Sequence, residues 1–329
     1  MTALPNPQTP LSESDALDAF AAILDGKVDG EAISAFLITL ADRGETATEI
    51  AAAVQEMRAR MVAVDAPAGA IDVCGTGGDG SHSLNISTAT ALVVAACDIP
   101  MAKHGNRAAS SKSGAADTLE ALGLDLAKAA TGGEQSLREI GIAFFFAPNH
   151  HPALGPLAPI RKAIGRRTIF NLLGPLCNPA RVKRQLIGVA SPDLVETYAE
   201  AAAQLGYEKI MIVSGEEGLD ELSISGPSKL AIVEGQSVTH SRIAPEDLGL
   251  SRHGADSIKG GDAQYNAAAL RDLLQGEPSA YRDAVVLNSA AALMIAGEVD
   301  SWETGVEEAG EALDKGLANA LLNCWIANQ

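Results

Sequence analysis

Aromatic residues are scarce in this chain, at 4% of 329 positions, and so is positive charge: 24 lysines and arginines face 42 aspartates and glutamates, for a net charge of -18. That balance argues against a broad basic surface, and so against nucleic acid or an anionic membrane as partner. Cysteine is sparse too. Cys74, Cys97, Cys177 and Cys324 show no Cys-x-x-Cys spacing and no histidine beside them at metal-ligand spacing. Buried reduced thiols in the cell interior are expected. The N-terminal MTALPNPQTPLSESD lacks the basic and apolar regions of a secretion signal. The longest apolar run, around Ala89 to Cys97, is far too short to span a bilayer. The GxGxxG dinucleotide fingerprint and the GxxxxGK[ST] loop are read as missing, and no nucleophile elbow or Cys/His dyad is expected. Hydride transfer, nucleoside triphosphate hydrolysis and covalent catalysis lose weight accordingly. A cytoplasmic protein fits these absences.

Hydrophobic residues make up 47% of the chain, enough for a sizeable core in one large domain or two ordinary ones. Residues 13 to 64 read as four short amphipathic helices, with apolar residues recurring at three and four. Ser14 and Asp15, Gly30, and Thr46 to Thr48 mark the expected starts. APAG at 66 to 69 breaks the pattern. AIDVCG, IPMAKHG and IAFFFAP then read as strands, alternating with the helical TATALVVAAC, ADTLEALG and EQSLREIG. This is the rhythm of a sheet with covering helices. Residues 161 to 180 are irregular, strands resume at RQLIGVA and EKIMIVSG, and 225 to 261 reads as strand-poor surface loops. The C-terminal part is helical.

Residues 72 to 117 hold the densest chemistry. Gly75-Thr76-Gly77-Gly78-Asp79-Gly80 follows a strand. It is either a tight turn or a loop whose amides converge on an anion. Ser87 and Thr88 precede a helical run and read as helix caps, phosphate contacts or both. Lys103, His104 and Arg107 follow the next strand, with Lys112 and the small residues Ser110, Ser111, Ser113 and Gly114 beyond them. This basic cluster in an acidic protein points to a highly charged phosphate ligand. Asp220-Glu221 reads as a solvated loop or as hard oxygen ligands for magnesium on a substrate phosphate. His150-His151-Pro152 reads as a turn, a structural histidine or a ligand contact. Arg161, Lys162, Arg166 and Arg167 form a partly solvated helix face from which one arginine could hold a carboxylate. GGD recurs at 77 to 79 and 260 to 262, too short to indicate duplication.

Six segments in order, GTGGD (75–79), NIST (85–88), KHGNRAASSKSG (103–114), HHPALGPLAPIRK (150–162), RTIFNLLGPLCNPA (167–180) and GLDELS (218–223), make the chain resemble the anthranilate phosphoribosyltransferase family of tryptophan biosynthesis. The resemblance covers about residues 13 to 325. It implies an α/β fold of the nucleoside phosphorylase class II type. A small helical domain (1–68, completed by a return segment near 162–190) would join a large α/β domain (69–161 and 191–329) with a central, mostly parallel sheet flanked by helices. It implies a homodimer through the helical domain, with Mg2+ as cofactor. Gly75, Gly78, Asp79, Ser83, Asn85, Ile86, Ser87, Thr88, Lys103, His104, Gly105, Asn106, Arg107, Ala108, Ala109, Ser110, Ser111 and Ala115 would hold phosphoribosyl pyrophosphate. Gly75, Asn106, His151 and Arg161 would bind anthranilate. Ser87, Asp220 and Glu221 would hold the metal, and Lys103, Asp220 and Glu221 would be catalytic. Ala115 and Ser83 depart from the serine and threonine many members carry there. A pyrimidine nucleoside phosphorylase-like enzyme and a non-catalytic nucleic-acid-binding relative are the alternatives.

Overall fold

The computed structural model describes residues 2–108 and 111–328. Three helices open the chain: α1 (Glu13–Leu24), α2 (Gly30–Arg43) and α3 (Ala47–Ala59). A side-chain oxygen satisfies a free amide at each start. Ser12 accepts from the Asp15 amide, Asp29 accepts from the Ala32 amide, and Thr46 forms a reciprocal capping box with Glu49. The expected four helices are therefore three, and the first two caps are Ser12 and Asp29. Asp15 instead sits in the first turn, where its charge suits the positive end of the helix.

The alternating part runs β1 (Ile71–Gly75), α4 (Ile86–Ala95), β2 (Met101–Gly105), α5 (Ala115–Leu122), α6 (Leu126–Glu139) and β3 (Ile142–Phe146). Three short helices follow, α7 (Ala147–His150), α8 (Ala158–Ile164) and α9 (Phe170–Leu173). Then come β4 (Arg184–Gly188), α10 (Leu194–Gln204), β5 (Lys209–Gly215), β6 (Ser228–Glu234) and β7 (Ser237–Ile243). Helices α11 (Ala263–Leu274), α12 (Ala280–Ala296), α13 (Trp302–Asp314) and α14 (Leu317–Ala327) complete the chain.

The seven strands form one sheet in the order β3-β2-β1-β4-β5-β6-β7. Neighbours from β3 to β5 are parallel, and β6 and β7 add antiparallel. Both faces are covered, so the strand residues alternate between two cores. Ile71, Val73, Leu186, Met211 and Val213 pack under α4, α5 and α11 to α14; Ile187, Ile210 and Ile212 pack on the other side with α10 and helices α1 to α3. Phe170 of α9 enters that second core, its ring edge-on to Phe20 at 6.3 Å. Ile160 of α8 lies against Gly30 of α2, so the expected boundary at 162 falls inside a helix packed on the N-terminal unit.

The region 225 to 261 is not loop alone: it holds the β6–β7 hairpin. Gly235, at φ 60, supplies the turn. The signal was masked because β7 is an edge strand, mostly exposed along SVTHSRI. With few apolar residues to bury, it shows no hydrophobic alternation.

Candidate active site

The chain winds from β1 outward to β3, then returns to lay β4 on the other side of β1. Loops at the carboxyl ends of β1 and β4 therefore diverge and leave a crevice, the usual ligand position in such sheets. A cleft of about 360 Å³ opens there. Its walls come from the glycine loop after β1, the start of α4, the end of β2, and the loop after β5; α8 and α9 close one side.

Gly75 and Gly188 are register partners at the ends of β1 and β4. A Cβ on either would overlap Asp220, on its carboxylate from Gly75 and its backbone carbonyl from Gly188. The two bare backbones thus form a slot that seats Asp220 over the sheet. Its Oδ2 accepts from the Gly77 amide at 2.6 Å. Glu221 reaches the other way, its Oε1 accepting from the Ser87 amide at 3.1 Å in the first turn of α4. Asn288 of α12 clamps the next residue, bonding both the amide and the carbonyl of Leu222 at 3.0 Å.

The electrostatics of this floor are strained. Burial, then the charge of Asp79, pushes Asp220 up to about 7. Burial and the neighbouring Asp220 push Glu221 well above the usual carboxylate range, with Lys103 opposing. No donor reaches the buried Asp79 Oδ2, and its side chain stands within hydrogen-bond reach of Asp220, which also holds Asp220 up. The ammonium of Lys103, a residue 2% exposed, donates to the His104 carbonyl. Arg107 at the rim is held by Asp117 and Glu120. Asp117 also accepts from the Ala108 and Gly114 amides, closing the loop between β2 and α5.

Arg161, on α8, is the contrasting cation. Its guanidinium stands 5.8 Å from the centre of the Phe170 ring and has no carboxylate partner among the described residues. Burial alone lowers its pKa. Its neighbours match the solvated-face reading: Lys162 is exposed, and Arg166 and Arg167 pair with Asp42 and Glu45. A half-buried arginine with an unspent charge is suited to a carboxylate.

Most predicted residues meet here: Gly75, Gly78, Asp79, Ser83, Asn85, Ile86, Ser87, Lys103, His104, Gly105, Asn106, Arg107, Ala108, Ser111, Ala115, Arg161, Asp220 and Glu221 all line the cleft. Thr88 and His151 are buried and do not line it. Ala109 and Ser110 lie outside the described residues. Lys112 is exposed and outside the lining. Neither Ser87 nor Thr88 is the helix cap; that position is Asn85, whose side chain makes no cap bond. Gly75, Gly77 and Gly80 do have Gly-x-Gly-x-x-Gly spacing. The context of a dinucleotide site is missing, because the helix begins only at Ile86. Gly188 and Asn171 were overlooked. A lone glycine ending a strand carries no local signal, and Asn171 sat inside an irregular stretch.

Residues 67–319 match the glycosyl transferase family a/b domain, and residues 6–61 match the helical bundle domain of the same family. Anthranilate phosphoribosyltransferase of Novosphingobium aromaticivorans is 62% identical over 327 residues, which cover 99% of both chains. The chain belongs to the anthranilate phosphoribosyltransferase family. Among solved structures, anthranilate phosphoribosyltransferase from Thermus thermophilus superposes with a TM-score of 0.90 at 40% identity, covering 97% of this chain and 96% of that one. The Saccharomyces cerevisiae anthranilate phosphoribosyltransferase in complex with PRPP and Mg gives 0.88 at 29% identity, covering 96% and 93%.

Beside the cleft two histidines are kept neutral. The His104 and His151 rings meet edge to face at 5.3 Å. Burial, then the charge of His151, pushes His104 well below its ordinary range; burial and His150 bring His151 to about 4. With the folded value below the unfolded one, the unfolded chain takes up a proton first as pH falls below about 6.5. Stability from His151 is therefore present above that pH and lost toward pH 4, on the order of 3 kcal/mol in all. Asp220 and Glu221 shift the opposite way, so the comparison to make is with His151→Asn. Wild type should lose stability to denaturant relative to that variant between pH 6.5 and pH 4. A pH-independent difference would exclude a buried neutral His151.

Proposed function

We propose that the cleft transfers the phosphoribosyl group of phosphoribosyl pyrophosphate to the amine of anthranilate, giving N-(5-phosphoribosyl)anthranilate and pyrophosphate in tryptophan biosynthesis. Family membership assigns the reaction. The observation that carries the residue roles is the meeting, in one cleft, of an anion-binding floor and the uncountered Arg161.

On this reading the glycine loop, the start of α4 and the Lys103–Ser111 segment hold the donor's phosphates and ribose. Arg161 and Asn106 hold anthranilate, Arg161 through the carboxylate. The residues fit a magnesium ion: no donor reaches Asp79 Oδ2, and Asp220 and Glu221 are buried carboxylates with raised pKa values. No cluster of three His, Cys, Asp or Glu side chains has metal-holding geometry among the described residues. Magnesium would therefore be organised by Asp220, Glu221 and Ser87 only together with oxygens of the donor. Bound there, it would neutralise charge developing on the departing pyrophosphate.

The chain's own part is to position and stabilise. Breaking the bond at C1 of the ribose leaves an oxocarbenium-like centre, by analogy with glycoside cleavage. Lys103 would face the charge that moves to the leaving group, with the positive end of the α4 dipole behind it. The aryl amine is neutral near pH 7 and needs no strong base before attack, so positioning supplies much of the rate. His151 would act through His104, since it does not reach the cleft. The N-terminal unit with its return segment would be a helical domain, supported by Phe170, Leu172, Leu173 and Leu176 sharing its core; the segment ends before β4, since Arg184–Gly188 pair inside the sheet. A cytoplasmic homodimer through that unit follows from the family resemblance; light scattering at the mass of one chain would remove it. No helix of the described residues is long and apolar enough to cross a membrane.

Mixing the protein with anthranilate, phosphoribosyl pyrophosphate and magnesium should consume anthranilate fluorescence only when all three are present. Arg161→Ala should raise the anthranilate KM about 10- to 100-fold, the worth of a charged hydrogen-bonded pair, with a much smaller change in the donor KM. An unchanged anthranilate KM would reject Arg161 as the carboxylate partner.

A further inference from the structure

Asn85 occupies the N-cap of α4 and is among the residues best able to cap a helix, yet its side chain does not do so. Its Oδ1 accepts instead from two side chains: Thr118 Oγ1 of α5 at 2.6 Å and Asn266 Nδ2 of α11 at 2.9 Å. Asn266 is 2% exposed and separated from Asn85 by 181 positions in sequence. Its own Oδ1 accepts from the Gly261 backbone amide at 2.8 Å.

That backbone amide sets the polarity of the whole relay. A peptide N–H can only donate, so it requires the oxygen of Asn266 on its side. The nitrogen of Asn266 must then face Asn85, which requires the oxygen of Asn85 in turn. Asn85 Nδ2 is left over. Asn85 lines the cleft, and its amide nitrogen bonds no described residue.

The segment that carries the anchor is clamped to the glycine loop. Leu84 N donates to the Ile258 carbonyl and Gly260 N to the His82 carbonyl, both at 2.8 Å, and Ser83 bridges to Lys259. A Cβ on Gly260 would stand 2.7 Å from the Ser83 carbonyl oxygen and 3.0 Å from Asn266 Oδ1. His82 is held at φ 50, a conformation few non-glycine residues adopt. Tyr281 of α12 closes the other side, donating to the Asn85 carbonyl at 3.0 Å. The second GGD, at 260 to 262, is thus no duplication of the first but part of its support.

We propose that Asn266, seconded by Thr118, is a positioning residue for the transfer: it fixes the Asn85 amide so that a hydrogen-bond donor, not an acceptor, faces the anionic donor substrate. The inference rests on the phosphoribosyl pyrophosphate reading of the cleft.

Asn266→Asp tests it with no change in shape. Aspartate still accepts from Gly261 but turns an oxygen toward Asn85 Oδ1, which favours rotation of the Asn85 amide and presents its oxygen to the phosphates. Calorimetric titration with phosphoribosyl pyrophosphate and Mg2+ should show Kd raised about 10- to 100-fold. The anthranilate KM at saturating donor should stay within about twofold. The decisive reading is a double-mutant cycle. In an Asn85→Ala background, Asn266→Asp should add less than about twofold, whereas a merely structural role would weaken binding equally in both backgrounds. Wild-type affinity in Asn266→Asp, or an undiminished effect in Asn85→Ala, overturns the inference alone. A wild-type protein that fails to bind the donor overturns the reading of the cleft with it. Should Asn266→Asp not fold, Thr118→Val is put through the same cycle; an unchanged Kd there overturns the relay.

Discussion

Gly188→Ala should remove transfer activity by about 10²- to 10³-fold or more, the usual cost of losing preorganised charge at a reacting centre, and should cost about 3 kcal/mol of stability. Both follow from one overlap. The new methyl would lie on the Asp220 backbone carbonyl and close to the Glu221 amide, and backbone cannot swing aside as a side chain can. Gly188 also pairs with Gly75 and Val213 inside the sheet, so relief would require the β5 loop to move as a unit. Gly75→Ala gives the instructive contrast. Its methyl would meet first the Asp220 carboxylate, which can rotate at the loss of its bond to Gly77, and less closely the Asp220 carbonyl oxygen, at 2.9 Å. Activity should fall comparably while denaturant midpoints fall less. If Gly188→Ala retains both activity and midpoint, Asp220 does not sit in the slot described.

Lys103→Ala should lower kcat/KM for phosphoribosyl pyrophosphate by about 10³-fold, with little effect on the anthranilate KM. Besides His82 on the glycine loop, four basic residues line the cleft: Lys103, His104, Arg107 and Arg161. His104 is kept neutral, Arg107 is engaged by two carboxylates, and Arg161 stands over Phe170 on the α8–α9 side. Lys103 is the one whose charge bears on Glu221, and also on Asp72 behind the sheet. Removing it takes away the charge that favours their ionised forms, so burial pushes both carboxylates up further and part of the loss should appear as lower stability. Lys103→Arg should not restore the rate, because a wide guanidinium fork replaces a compact point charge. A Lys103→Ala enzyme within tenfold of wild type would exclude this lysine from the charge-stabilising role.

The local layer of this protein was legible from residues alone. Thr46 and Glu49 mark the start of α3, and APAG separates the helical unit from the alternating part. Strand-like runs ending in Cys74-Gly75 and His104-Gly105 placed the glycine loop and the basic loop at strand ends. Arg161 was legible only through the family motif, since composition reads its helix as a solvated face; the missing counter-ion became visible with the fold. Edge strand β7 was not legible, because a strand covered on few sides needs no hydrophobic alternation.

The sequence by itself determined the helices and most strands, the acidic surface, and the family to which the motifs belong, because these depend on short-range periodicity and on residues close together in the chain. Only the tertiary structure decided which of those pieces meet. Strand order placed β4 beside β1, which set Gly188 opposite Gly75 and made the slot for Asp220, 143 positions from the Gly77 amide it accepts from. Packing of α11 against α5 brought Asn266 to Asn85. Such meetings are set by how crossovers stack on a sheet, and no local pattern of side chains encodes them.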